Sequence, residues 1–157
     1  MELSRARGVD ARLGDVQCLP FPASSFDCAV AAWMLYHVPD VDRAVGELAR
    51  VLSPDGRLVA VTNGENNLPE LWGPLRGSER RLHTFSAENA EPQLARHFGR
   101  IERRDANGTV TFPDWEAARR YVEKSVTRRD LAGTLPPFDG PLVCTRLVSV
   151  FVASEPR

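Results

Sequence analysis

The sequence has few of the features that mark a metal protein, a membrane protein or a secreted protein. Its 3 cysteines, Cys18, Cys28 and Cys144, are odd in number and widely spaced, which predicts neither a zinc site nor a disulfide framework. No apolar run reaches the roughly 18 residues that a membrane helix needs, and the first residues lack the pattern of a signal peptide. These absences favour a protein of the reducing cytoplasm that binds neither a metal nor a membrane.

An excess of charge of either sign is also lacking. The chain carries 20 Lys and Arg residues against 21 Asp and Glu residues, a formal net charge of −1, which gives no general attraction to nucleic acid. The arginines between positions 100 and 129 are interspersed with acidic residues, so a solvated surface is favoured there over a nucleic-acid site. A chain of 157 residues is long enough for one domain that buries roughly 68–70% of its unfolded surface.

The clearest local pattern is a strand, a helix and a second strand between positions 26 and 62. The run from 28 to 35 is almost wholly apolar, which is typical of a strand covered on both faces. Asp40 is a suitable cap for a helix over 40–52, whose apolar residues recur at helical spacing. Residues 53–56 carry the signal of a type I turn, and a second buried strand follows over 58–62. By the handedness rule this unit predicts two parallel strands of one sheet.

The flanking segments predict the rest of an α/β fold. A short strand is expected over 9–13, before a proline-containing loop. The polar loop at 63–67 follows the carboxyl end of a strand, where open α/β sheets place their ligands. Further elements predicted are a short helix over 68–75, a helix beginning near 86–89, a hairpin of 101–105 with 109–112 around Asn107-Gly108, a helix capped by Asp114 with Trp115, Ala118, Val122 and Val126 on one face, and a final strand over 142–153.

Several short motifs between positions 8 and 62 together resemble a known family. They are Gly14-Asp15, Leu19-Pro20-Phe21, Ser25-Phe26-Asp27, Leu35-Tyr36-His37-Val38, Asp40, Glu47-Leu48, Arg50-Val51-Leu52, Pro54-Asp55-Gly56 and Thr62. In order and spacing they resemble the class I S-adenosylmethionine-dependent methyltransferases, and among these the UbiE-like, type 11 small-molecule enzymes. The resemblance implies S-adenosyl-L-methionine as cofactor and a small molecule as methyl acceptor, but it names no acceptor.

The resemblance also implies roles for individual residues. Asp15 would accept a hydrogen bond from the adenine amino group, and the Val16 N–H would contact the adenine ring. The residues that would line the methionine side of the cofactor are Ala32, Trp33 and Met34. Read without the family, Asp15 is an ordinary turn residue, and Trp33 and Met34 are equally compatible with a plain core.

The substrate side carries less specific signals. His37 would lie one helical turn nearer the substrate and is the candidate base, although a packing role at the helix entry suits it as well. Tyr36, Asn63 and Glu65 are candidate substrate contacts from their position beyond the strand ends. Tyr36 is equally explained as a structural residue, and polar loops such as 63–67 are common.

One departure from the family pattern concerns its amino-terminal part. The glycine-rich turn that approaches the methionine part of the cofactor, and the acidic strand end that holds the ribose hydroxyls, have no counterpart in this sequence. The chain is therefore expected to be a single truncated domain, in which 1–62 is the carboxyl-terminal part of the cofactor half and 63–157 is the substrate-side half. Such a chain would bind cofactor weakly, and its open sheet edge would pair with a missing segment or with a second copy.

The predicted fold is a partial Rossmann-like α/β fold, with a mainly parallel sheet, an antiparallel C-terminal strand and helices on both faces. The predicted function is S-adenosylmethionine-dependent methyl transfer to a small molecule. An alternative is a non-catalytic remnant that acts as an interaction module through its open sheet edge. A nucleotide-binding oxidoreductase is disfavoured because the sequence lacks any glycine fingerprint.

Overall fold

The computed structural model describes residues 7–8, 10–75 and 83–157, and a four-stranded mixed sheet is its largest element. The strands are β1 (Phe26–Ala32), β2 (Leu52–Asn63), β3 (Phe98–Asp105), β4 (Gly108–Phe112), β5 (Leu142–Arg146) and β6 (Val148–Pro156). The helices are α1 (Val41–Val51), α2 (Pro69–Trp72), α3 (Ala90–Leu94) and α4 (Trp115–Glu123), and 3₁₀ turns lie at Leu35–His37, Gly73–Leu75 and Arg129–Thr134. Among the described residues, no helix combines the length and apolar character needed to cross a membrane.

The directions of the strands confirm the predicted fold class. The main sheet has the order β1-β2-β6-β3. Strand β1 is parallel to β2, whereas β6 is antiparallel to both β2 and β3. Strands β1, β2 and β3 therefore all run in one direction, and the C-terminal strand lies between two of them in the opposite direction. Because β2 pairs with β6, the residues before position 63 share a sheet and a core with those after it.

The predicted strand–helix–strand unit is present, and its helix begins as expected. The Asp40 carboxylate accepts a hydrogen bond from the Arg43 N–H at 3.0 Å and so caps α1. Between the pairs Phe26–Leu52 and Cys28–Arg57, β1 advances by two residues while β2 advances by five. Residues 53–56 of β2 thus lie opposite residue 27 alone, and these four residues form an insertion in the strand at the position of the predicted turn.

The prediction that β1 is covered on both faces is wrong. β1 is an edge strand of the sheet, in which Ala31 is 3% exposed and Val30 on the other face is 68% exposed. Helices α1 and α3 both contribute to the one core that contains Leu58 and Phe151. The prediction of helices on both faces of the sheet therefore holds for one face only within the described ranges.

The predicted hairpin around Asn107-Gly108 is also wrong. Strand β3 pairs with β6 in the main sheet, whereas β4 pairs with β5 in a separate two-stranded sheet. The Val148 carbonyl accepts a hydrogen bond from Ala106 N–H at 2.8 Å, and Val148 N–H donates to Asn107 Oδ1 at 3.2 Å. Asn107 thus binds the C-terminal segment instead of closing a turn. The final strand predicted over 142–153 is divided at Leu147 for the same reason, since its two halves pair in different sheets.

Two smaller predictions also fail. Residues 10–14 form no strand, and Leu13 is 86% exposed; residue 9, where that strand was to begin, lies outside the described residues. Val126 lies beyond the end of α4 and is 72% exposed, so it does not extend the buried face of that helix. The remainder of that face is correct, because Ala118 and Val122 are fully buried in a second core with Trp72 and Phe112.

Candidate functional site

The candidate site lies at the carboxyl ends of β1 and β2. Because the two strands are parallel, these ends lie side by side at one end of the sheet, which we call the site edge. Trp33, the residue after β1, donates its backbone N–H to the Val61 carbonyl at 2.9 Å. Its indole Nε1 donates to Asn63 Oδ1 at 3.2 Å. The backbone of Trp33 has φ 51°, in the left-handed region that a bulky residue rarely occupies and that is often found at functional sites. The indole is 49% exposed at this edge.

A tight turn at Asp15 presents a carboxylate to solvent. Asp15 Oδ1 accepts hydrogen bonds from the Gln17 backbone N–H at 2.9 Å and from the Gln17 side-chain amide at 3.1 Å. These two bonds, the backbone one first, hold the pKa of the Asp15 carboxyl below its ordinary value. Asp15 is exposed, so the side chain is an ionised acceptor that an external donor can reach.

Gln17 joins this turn to the start of helix α1. Its side-chain oxygen accepts a hydrogen bond from the Asp40 N–H at 3.0 Å, and its backbone carbonyl accepts one from Arg43 Nε at 2.8 Å. Val16 is half-buried against the main core, and its N–H has no acceptor within the described part of the chain. The turn is therefore held at the start of α1, with one carboxylate and one N–H available to a ligand.

A second link holds the proline-containing loop that follows. Glu47 Oε2 accepts a hydrogen bond from the Leu19 N–H at 2.8 Å, and Arg50 donates to the carbonyls of Leu19 and Phe21 at 3.1 and 2.9 Å. The Glu47–Arg50 ion pair, at 2.7 Å, together with the Leu19 N–H lowers the pKa of Glu47 to about 2. These motif residues thus hold the loop in position.

The 3₁₀ turn at Leu35–His37 forms the next part of the edge. Met34, which precedes it, is half-buried against the main core, whereas Ala32 at the end of β1 is exposed. The Tyr36 ring lies 4.5 Å from the ring of His37, centroid to centroid, and 5.7 Å from that of His83. Burial raises the pKa of the half-buried Tyr36, and His37 is exposed. The turn therefore presents one reachable imidazole beside a phenol that stays neutral.

Two polar residues after β2, Asn63 and Glu65, differ in how far they are exposed to solvent. Asn63 is half-buried, and besides the Trp33 indole it binds the Ala87 N–H through its backbone carbonyl at 3.1 Å. Glu65 is only 7% exposed; its Oε1 accepts a hydrogen bond from the His83 N–H at 2.9 Å. Its backbone N–H donates to the Glu88 carboxylate at 3.0 Å. Asn63 therefore borders the exposed edge, while the Glu65 carboxylate is engaged within the protein.

The available groups suit one end of an adenine nucleoside. The amino edge of adenine offers a donor next to a ring-nitrogen acceptor, and the Asp15 carboxylate next to the Val16 N–H supplies the matching acceptor and donor. Sequence reasoning found both residues but missed Gln17, whose partners Asp40 and Arg43 lie 23 and 26 positions away in the chain. Among the described residues, no group of three or more His, Cys, Asp and Glu side chains is arranged to hold a metal.

The chain is similar in sequence to a known family and to several known proteins. The family described as "Methyltransferase domain" matches residues 1–60. The "Ubiquinone/menaquinone biosynthesis C-methyltransferase UbiE" of Hahella chejuensis is 32% identical over 111 residues, which are 71% of this chain and 43% of that protein. "Arginine-hydroxylase NDUFAF5, mitochondrial" of Rattus norvegicus is 31% identical over 122 residues, 77% of this chain and 36% of that protein. The chain thus spans less than half the length of these curated relatives.

The fold is shared with solved structures at low sequence identity. A SAM-dependent methyltransferase from Thermotoga maritima superposes with a TM-score of 0.61 at 20% identity, covering 98% of this chain and 68% of that one. A likeness of this kind shows the fold alone. Together with the sequence matches it places the chain among proteins that share one α/β framework.

Proposed function

Because the chain belongs to the class I S-adenosylmethionine-dependent methyltransferase family, we propose that it carries the adenine-binding and substrate-facing part of a methyltransferase that acts on a small molecule. The observation that carries this proposal is the Asp15–Val16 turn, which Gln17 anchors to the start of α1. An ionised carboxylate and an N–H that has no acceptor among the described residues are adjacent there, at the start of the helix that follows the carboxyl end of β1; α/β proteins bind their ligands at that end of the sheet.

The protein's contribution to methyl transfer is alignment and exclusion of water. The cofactor of this family supplies an activated methyl group when bound. In the proposal, Asp15 and Val16 hold its adenine, and Ala32, Trp33 and Met34 line its methionine side. A methyl acceptor held against the same edge would be oriented for in-line attack on the methyl group. This alignment contributes more to the rate than any further chemistry that the protein supplies.

His37 is proposed as the base for an acceptor that must lose a proton. Its imidazole is exposed and lies in ring contact with Tyr36, so an acidic hydroxyl or carbon acid could transfer a proton to it. Tyr36 and Asn63 would contact the acceptor. Glu65 would do so indirectly, because its carboxylate holds the segment at His83.

A flat ring is the acceptor class that the edge suits best. The exposed Trp33 indole and the Tyr36–His37 ring pair belong to the same sheet end, and rings of this kind bind planar molecules by stacking and edge contacts. The name of the Hahella relative refers to quinone biosynthesis. A reduced quinone-like ring is therefore the acceptor to test first.

The proposal includes weak binding of cofactor by this chain alone. The ribose hydroxyls would lack two charge-assisted hydrogen bonds, each worth roughly 1.5–3 kcal/mol, which together amount to about two to four decades in affinity. We expect a Kd no better than roughly millimolar. Strand β1 pairs on one side only within the described ranges, and a strand that bears a ribose-binding acid could pair there if another chain or a second copy supplied it. The free thiols of Cys18 and Cys28 suit the reducing cytoplasm.

The reaction is tested by incubating the protein with S-adenosylmethionine and a panel of quinols, with mass spectrometry of the products. The proposal predicts S-adenosylhomocysteine together with a product that has gained one methyl group. A product that has gained one oxygen atom instead, as the name of the Rattus relative would suggest, would contradict it. Because the expected affinity is low, millimolar cofactor is used throughout.

A further inference from the structure

A second unit with a core of its own stands next to the main sheet. It consists of α2, β4, β5, α4 and the 3₁₀ turn Arg129–Thr134, and its buried residues form a cluster separate from that of the sheet. The unit is tied to the segment that leaves the site edge after β2. The Gly64 N–H donates to the Leu147 carbonyl at 3.0 Å, and the Leu68 N–H donates to the Thr145 carbonyl at 2.8 Å. The second unit is therefore held beside the site edge.

Tyr121, on α4, is an exposed aromatic residue of this unit. Its ring centroid lies 5.3 Å from that of Phe112 and 6.1 Å from that of Trp72. Phe112 and Trp72 are each 6% exposed, whereas Tyr121 is 45% exposed. Because the Tyr121 ring rests on two buried rings, it loses little conformational entropy when it contacts a ligand.

Tyr121 lies near the rings of the site edge. Its neighbour Trp72 belongs to α2, the helix that follows β2 in the chain. Burial raises the pKa of Tyr36 above its ordinary value, and the charge of Tyr121 raises it further. The interaction between two charges falls with distance, so this effect requires the two phenol groups to be close. Tyr36 in turn is in ring contact with His37 at 4.5 Å and with His83 at 5.7 Å. Aromatic rings therefore border this part of the site edge from two separate units.

We propose that Tyr121 contacts the methyl acceptor, whose ring lies between Tyr121 and the Tyr36–His37 ring pair. This inference rests on the proposed function, in which Tyr36 and His37 face the acceptor. It adds a contact from the second unit and narrows the acceptor class to planar rings, because only a flat molecule stacks against rings on both sides. Burial raises the pKa of Tyr121, so its hydroxyl stays neutral and can donate a hydrogen bond to an oxygen of the acceptor.

The placement is tested by NMR of the full chain with ¹³C-labelled tyrosine and β-naphthol, a stable planar molecule with one hydroxyl. The chain has 2 tyrosines, so the labelled ring signals report on Tyr36 and Tyr121 alone, and Tyr121→Phe assigns them. We expect intermolecular nuclear Overhauser effects from the naphthol protons to both tyrosine rings. Effects to Tyr36 alone, or to neither ring, would overturn the proposal.

Affinities measured by ligand-observed NMR separate a ligand contact from a packing role. Tyr121→Ala should weaken β-naphthol binding by about two- to tenfold. Tyr121→Phe, which keeps the ring on its two buried neighbours, should weaken it less. Neither variant should change the affinity for S-adenosylhomocysteine, which a general loss of folding would reduce. Val143→Ala is the control, because Val143 is 53% exposed on β5 while the next residue, Cys144, is buried in the core of the second unit. It should leave both affinities unchanged.

The outcomes distinguish this proposal from the proposed function. Wild-type affinity of Tyr121→Ala for β-naphthol, while S-adenosylhomocysteine still binds, would overturn the role of Tyr121 alone. Equally tight binding of decahydro-β-naphthol, whose rings are saturated and not flat, would overturn the planar acceptor class. No binding of S-adenosylhomocysteine by the wild type would contradict the proposed function, and with it this inference.

Discussion

The side-chain oxygen of Gln17 lies 3.0 Å from the backbone nitrogen of Asp40 and accepts its hydrogen bond. Asp40 is the residue that caps α1, and Gln17 closes the turn in which Asp15 presents its carboxylate. This one bond therefore couples the proposed adenine contact to the start of the helix that packs on the sheet. The position of the site thus depends on a residue that has no role of its own in the chemistry.

Replacing Gln17 tests this coupling. Gln17→Ala removes the bonds from its side chain to Asp40 and Asp15, and a lost intramolecular hydrogen bond costs about 1 kcal/mol. We expect the melting temperature to fall by a few degrees and the affinity for S-adenosylhomocysteine to decrease. Gln93→Ala is the control, because Gln93 also makes several side-chain hydrogen bonds but lies in α3. If Gln17→Ala melts lower but binds as wild type, the turn keeps its shape without this link.

The Glu47 carboxylate predicts a pH dependence of stability. Its pKa in the folded protein is about 2, against an ordinary value of 4.5, because Arg50 and the Leu19 N–H bind the ionised form. A lowered pKa means that the stabilisation is complete above pH 4.5 and is lost as the pH falls towards 2. We expect Glu47→Gln to melt several degrees lower at neutral pH, and this difference to shrink as the pH falls through that range.

The control for Glu47 is Glu116→Gln, which changes an exposed acid whose ion pairs with arginines of α4 are long. Exposed pairs of this kind contribute little, so this variant should melt like the wild type at every pH. A melting difference for Glu47→Gln that stays constant from neutral pH to pH 2 would show that Glu47 does not act through its charge.

Gly56 tests the insertion in β2. A Cβ at this position would lie 2.9 Å from the Ser53 carbonyl oxygen and 3.1 Å from the Ser53 nitrogen, so Gly56→Ala must displace backbone. We expect a loss of about 1–3 kcal/mol in the free energy of unfolding, measured by urea titration. Gly73→Ala is the matched control, because a Cβ there meets nothing within 4 Å; it should be neutral or slightly stabilising. Equal effects of the two changes would contradict the crowding at Gly56.

The parts of the fold that the sequence predicts correctly are those whose signals are local. The Asp40 cap of α1 and the Asp114 cap of α4 each bind an N–H three residues ahead, and short-range patterns reveal such contacts. The hairpin prediction fails because the partner of Asn107 is Val148, 41 positions away. Val30 was predicted to be buried because an apolar run shows how hydrophobic a strand is, but not what covers it.

The same contrast between local signals and long-range contacts applies to the residues of the candidate site. The sequence predicts Asp15, Val16 and Trp33 because they occupy positions in a motif. The structure then shows which of their polar groups are available to a ligand. Glu65 was selected as a polar residue at a strand end, and nothing near it in the sequence indicates that it is buried against His83. Gln17 carries no local signal, since its bonds to α1 exist only in the folded protein.

The most direct test of the methyltransferase proposal is ligand-observed NMR with millimolar S-adenosylhomocysteine, which detects weak binding through saturation of the adenine protons. Asp15→Ala removes the charged acceptor of the adenine amino group, so it should weaken binding by about ten- to a hundredfold. Asp15→Asn should be milder, because its amide oxygen still accepts a hydrogen bond. Asp55→Ala, an exposed acid in the 53–56 insertion of β2, should bind as wild type. Equal saturation in all four proteins, or none in the wild type, would contradict the placement of adenine at Asp15.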